Sequence, residues 1–102
     1  MTKTIIDEIA AYDLELYIEN DYYLYETYIV PYLQSLHKKH IKGTYNKEKA
    51  LIGWERIATY GAKKYQKDFL NVPYYRVFNK ATREETARYL QEFFLDMVCE
   101  GV

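Results

Sequence analysis

A single cysteine, Cys99, leaves this sequence without a disulfide framework, which excludes a small secreted fold stapled by bridges. Ser35 is the only serine, and no G-x-S-x-G turn surrounds it, so the nucleophile elbow of a hydrolase is excluded. The glycines Gly43, Gly53, Gly61 and Gly101 never cluster, so no loop can cradle a phosphate. With four glycines and two prolines in 102 residues there is little material for turns, which favours long helices. No apolar run approaches the ~20 residues that span a bilayer. The opening stretch MTKTIIDEIAAYDLELY carries acids within its apolar residues and reads as neither signal peptide nor membrane span. The expectation is one domain over residues 1–102, of the cytosolic type.

Two features stand out against this sparse background. Thirteen tyrosines accompany only four Phe and one Trp. The near-neutral total hides a strong segregation of charge. Residues 1–30 hold seven acids and one base, residues 31–80 hold eleven bases and three acids, and residues 81–102 hold five acids and two bases.

Apolar spacing predicts an all-α chain of four helices, with a four-helix bundle as the default arrangement and a three-helix core with the first helix packed across it as the alternative. The first runs from about Thr4 to Tyr17, with Ile5, Ile9, Tyr12 and Leu16 as its apolar stripe. The second runs from about Asp21 to Lys42, with Tyr25, Ile29, Tyr32, Leu33, Leu36 and His40 on one face. Pro31 lies inside it and predicts a kink or restart near residues 28–31. The third follows an Asn46 cap, carries Leu51, Trp54, Ile57, Ala58, Gly61, Tyr65 and Phe69, and ends near Leu70. Gly61 there reads as a point of close approach to another helix, and Trp54 as core. After an aromatic loop over 71–79, the fourth runs from about Lys80 to Cys99, burying Ala87, Leu90, Phe94, Met97 and Val98. Its cap is either Thr82, in a box with Glu85, or Asn79.

Few residues offer chemistry. His37 and His40, three apart on one helix, could share a metal, but zinc needs three or four ligands and none with matching spacing accompanies them. A structural role is expected for both, and a small core role for Cys99, which has no activating base nearby in sequence. No metal or cofactor is implied, and the chain is not expected to be an enzyme.

Two surfaces remain as binding candidates. The acidic start offers Glu15, Glu19, Asp21, Tyr22, Tyr23 and Glu26. Tyr22, Tyr23 and Tyr25 cannot all face one core stripe, so some tyrosine is exposed, and exposed tyrosine beside carboxylates suits a protein interface. Such carboxylates could also imitate phosphates and enter a basic nucleic-acid channel. The alternative is a nucleic-acid surface over Lys38, Lys39, Lys42, Lys63, Lys64 and Lys67, with tyrosines interleaved. Scarce arginine and overall neutrality argue against a dedicated nucleic-acid binder. Self-association through exposed tyrosines is a third option.

The segments G-T-Y-N-K-E-K-A-L at 43–51, A-K-K-Y-Q-K-D-F at 62–69 and F-N-K-A-T-R-E-E-T-A at 78–87 resemble small helical proteins encoded by bacteriophages and mobile elements. The similarity covers roughly residues 20–95 and rests on caps and core positions, so it carries over no functional residue. What it implies is an accessory protein of the bacterial cytoplasm that binds and blocks a host protein, a restriction or CRISPR effector among the candidates, in the manner of an anti-CRISPR. This chain is richer in tyrosine than that group.

Overall fold

A computed structural model describes the backbone of residues 5–101 and the side chains of residues 9–101. These residues are helical throughout, with short connections and no strand. In chain order come α1 (Ile5–Asn20), α2 (Tyr22–Leu24), a π-helical turn (Tyr25–Ile29), α3 (Val30–Ile41), α4 (Lys47–Phe69), α5 (Tyr74–Val77), α6 (Lys80–Phe93) and α7 (Leu95–Glu100). Helix α1 packs on both α4 and α6, which also pack on each other, and α3 packs on α7. The Cα envelope measures 43 × 30 × 15 Å, a flat slab that leaves broad faces to solvent. No helix among the described residues is long and apolar enough to cross a membrane.

Caps set the boundaries. Asn46 accepts the Lys49 N–H at 2.9 Å and Asn79 accepts the Thr82 N–H at 2.8 Å, so Asn79 is the cap of α6. Thr82 is buried instead, and Thr86 donates its hydroxyl to the Thr82 carbonyl and, across the interface, to that of Ala11. Pro31 lies in unbroken helical backbone at the start of α3, so its missing N–H takes a donor from the carbonyls of the preceding turn. The π turn just before it absorbs the change of register, so the irregularity foreseen at residues 28–31 begins a few residues earlier.

The core gathers Leu14, Ile18, Leu24, Ile29, Leu33, Leu36, Trp54, Ile57, Leu90, Phe94 and Val98. Trp54 is fully buried, stacks on Phe94 at 5.6 Å and meets the edge of Tyr32 at 5.2 Å. Gly61 is the close approach the sequence suggested: a β-carbon there would occupy the space of the Ile18 side chain. Gly53 gives way to the Tyr32 ring in the same manner, and the Tyr32 hydroxyl bonds the Ala50 carbonyl.

Several expectations are corrected. Ile9, Tyr12 and Leu16 are exposed at 59%, 55% and 39%, and α1 buries Ala11, Leu14, Glu15 and Ile18 instead. Helix α1 carries apolar residues on two faces, and the face with small Ala11 is the one that can approach α6 and Gly61 closely. Ile5 lies outside the residues whose side chains are described. The helix expected over 80–99 breaks at Phe94, and the restart in α7 rotates the pattern, so only Val98 is buried there while Met97 and Cys99 are exposed. His40 is exposed rather than on the core stripe, and Phe69, on α4, is exposed as well. The aromatic loop contains a helical turn, α5, whose Tyr74 N–H donates to Gln66 Oε1 at 2.7 Å.

Candidate binding groove

A concavity lies between the α2–π segment and α4. It is a groove of about 630 Å³ lined by Tyr23, Leu24, Tyr28, Tyr60, Lys63, Lys64, Lys67 and Asp68. Its α4 wall follows from helical spacing, because Tyr60, Lys63, Lys64, Lys67 and Asp68 recur at three and four. The opposite wall is positioned by a capping residue. Asp21 ends the link after α1 and accepts the Leu24 N–H at 2.8 Å, which starts α2 and projects Tyr23 and Tyr28 toward α4.

A polar node ties the two walls together. Lys64 Nζ donates to Asp21 Oδ2 at 2.8 Å and to Asp68 Oδ2 at 3.1 Å, and the Tyr17 hydroxyl donates to Asp68 at 2.9 Å. Burial alone would raise the Asp21 carboxyl, but the Lys64 ammonium and the Leu24 N–H hold it below the usual carboxylate range. Hydrogen bonds to Asp21 and then Asp68 push the Lys64 ammonium well above the ordinary lysine value. Burial and the Asp68 acceptor push the Tyr17 phenol up to about 12. Lys64 therefore serves as a brace, with its donors already spent on its own fold.

The aromatic part of the groove is ordered by ring contacts. Tyr28 and Tyr60 stack at 4.7 Å, and Tyr23 meets Tyr28 edge-on at 6.2 Å. A hydrogen bond with Tyr23 raises the Tyr28 phenol. Lys63 and Lys67 form no ion pair among the described residues, although Lys63 also reaches over the Tyr74 ring at 5.9 Å. The groove thus offers a rigid tyrosine wall with two available cations one helical turn apart.

The expected acidic surface is largely dismantled by the fold. Glu15 is 9% exposed and cannot form part of a carboxylate face. Glu19 is half-buried with its Oε2 out of contact with solvent, and burial together with a hydrogen bond to Glu15 pushes its carboxyl up to about 8. At neutral pH Glu19 therefore keeps its proton and presents no charge. Asp21 is engaged by Lys64. Glu26 is exposed, as are Tyr22 and Tyr23 at 72% and 56%. Of the lysine surface, Lys63, Lys64 and Lys67 line the groove, whereas Lys38, Lys39 and Lys42 lie at the end of α3 and do not. The sequence singled out Tyr23 and the α4 lysines under two different surfaces, and the fold brings them into one. It could not show that Tyr28, Tyr60 and Asp68 complete that site, since pairing across helices leaves no trace in local spacing.

Among the described residues no group of three or more His, Cys, Asp or Glu side chains could hold a metal ion. His37 is turned to structure, its Nδ1 bonding the Val98 carbonyl at 2.7 Å and so tying α3 to α7. Comparison with family models, curated proteins and solved structures gives no match for this chain.

Proposed function

We propose that this protein is a non-catalytic binding protein that engages another protein through the Tyr23–Tyr28–Tyr60 groove. The observation that carries this reading is the groove itself: Tyr28 stacked on Tyr60 and met edge-on by Tyr23, braced by the Lys64–Asp21–Asp68 node and flanked by Lys63 and Lys67. Tyrosine supplies large contact area at low conformational cost, and such pre-ordering is what makes a contact surface bind. With Glu15, Glu19 and Asp21 withdrawn, the contact face is cationic and aromatic, and its natural counterpart is an acidic segment. Taking α2, the π turn and α3 as one rod and α6 with α7 as another, we read the scaffold as a four-rod bundle presenting this groove along one side.

The resemblance to phage and mobile-element accessory proteins supports a role in the bacterial cytoplasm, blocking a host defence or nucleic-acid-processing protein in the anti-CRISPR manner. Capture of partners from a bacterial lysate, followed by mass spectrometry, tests the reading. The partner should be lost on Tyr23→Ser with Tyr60→Ser, and a partner retained by that variant would overturn it. A second reading has one observation in its favour: Lys63 and Lys67, one turn apart beside Tyr60, could take the phosphates and a base of a single strand. Tight single-strand binding that falls steeply with salt and is lost on Lys63→Glu with Lys67→Glu would favour that reading instead.

A further inference from the structure

Helix α1 nests between α4 and α6 and buries the face carrying Ala11, Leu14 and Ile18. Its opposite face is not the polar surface expected of an amphipathic helix. Ile9, Tyr12 and Leu16 recur there at three and four, exposed at 59%, 55% and 39%, and Phe93 of α6 stands beside them at 58%. Tyr12 and Phe93 border a shallow depression of about 430 Å³ that Glu15, Tyr89 and Glu92 complete. A contiguous apolar patch of this kind on a small protein marks a contact surface.

The charge around the patch says what covers it. Asp13 lies within the exposed face of α1 and Glu92 lies next to Phe93, both exposed; among the described residues no lysine or arginine lines the depression, and Lys47 and Arg88 share a separate concavity with Glu92. A second copy docked about a two-fold axis would set this acidic rim against itself, which is destabilising. An anionic lipid surface would be repelled for the same reason. The shape is also informative. Ile9 to Leu16 spans two turns, roughly 10 Å of helix rise, and the depression lies at its middle, between Tyr12 and Glu15 of α1 and Tyr89, Glu92 and Phe93 of α6. We propose that the Ile9–Tyr12–Leu16 face of α1, with Phe93, seats a basic amphipathic helix of a partner protein, its apolar stripe on these four side chains and its Lys or Arg residues against Asp13 and Glu92. This is the helix-in-groove mode of recognition, on a surface separate from the tyrosine groove.

Three fluorescent peptides of about four helical turns provide the probe: an amphipathic Leu/Lys helix, the matching Leu/Glu helix, and a Leu/Lys sequence with the same composition and no helical stripe. Fluorescence anisotropy at near-physiological salt should show binding of the first, with the other two at least ~10-fold weaker. Leu16→Ser with Phe93→Ser should weaken it by ~10-fold or more, and Asp13→Lys with Glu92→Lys by about as much. All four positions are exposed, so circular dichroism should be unchanged, and Tyr23→Ser with Tyr60→Ser should leave the affinity as it was. Equal binding of the stripeless peptide would reduce the effect to charge alone and overturn the proposal. So would affinity indifferent to the Leu16 and Phe93 changes, or absent altogether. A chain that sediments as a dimer and dissociates on Leu16→Ser would assign the face to a second copy instead.

Discussion

Lys64 of α4 reaches Asp21 at 2.8 Å while the other oxygen of Asp21 holds the Leu24 N–H, so one carboxylate both starts α2 and ties it to the opposite wall of the groove. These two roles can be separated. Asp21→Asn keeps an oxygen for the cap and loses the charge, whereas Asp21→Ala loses both and should cost about 1 kcal/mol through the cap. Amide exchange over residues 22–29 should quicken in both variants and in Lys64→Met. Unchanged exchange in Lys64→Met would mean that the tyrosine wall does not depend on the brace.

Gly61→Ala offers opposing effects of known sign. Alanine favours a helix over glycine by roughly 1 kcal/mol. Against this, the new methyl would meet the Ile18 side chain, and overpacking costs about 1–3 kcal/mol. Urea unfolding should show net destabilisation, and a double change with Ile18→Val should recover part of it. A more stable single variant would show that α1 can move away from α4 freely.

The raised Glu19 carboxyl makes stability depend on pH. Between 4.5, the ordinary carboxyl value, and about 8, Glu19 keeps its proton in the fold but loses it in the unfolded chain. Unfolding then releases a proton, so stability should fall as pH rises through that window and level off above it. Glu19→Gln should flatten this slope and be more stable near pH 9 by ~1–2 kcal/mol, a figure discounted for solvent screening. Parallel pH profiles for the two proteins would contradict the proton held on Glu19.

Trp54 is the largest fully buried side chain, held between Phe94 and Tyr32. Trp54→Ala should lower unfolding free energy by about 3–5 kcal/mol. A loss below ~1 kcal/mol in denaturant titration would be inconsistent with a central ring.

Local signals were the legible ones. The Asn46 cap, the Gly61 approach, Trp54 in the core and an irregularity near Pro31 could all be read from residues a few positions apart. Failures came where tertiary contact chose between local options. Helix α1 has two apolar faces, and the one with Ala11 won because α6 and Gly61 demand close approach. The break at Phe94 rotated α7 and turned Cys99 and Met97 outward. In the site, Tyr23 and the α4 lysines were each visible, but their union depends on Asp21 meeting Lys64 across 43 residues of chain.

The groove as the contact surface is tested most directly by measuring affinity for the captured partner with three purified proteins: the native chain, Tyr23→Ser with Tyr60→Ser, and Glu26→Lys. If the tyrosine groove binds, the double tyrosine variant should lose at least ~2 kcal/mol, or about 30-fold, while circular dichroism is retained and the lysine variant stays within about 3-fold of native. Native affinity in the tyrosine variant, with loss in the lysine variant, would contradict the account and return the contact to the acidic surface.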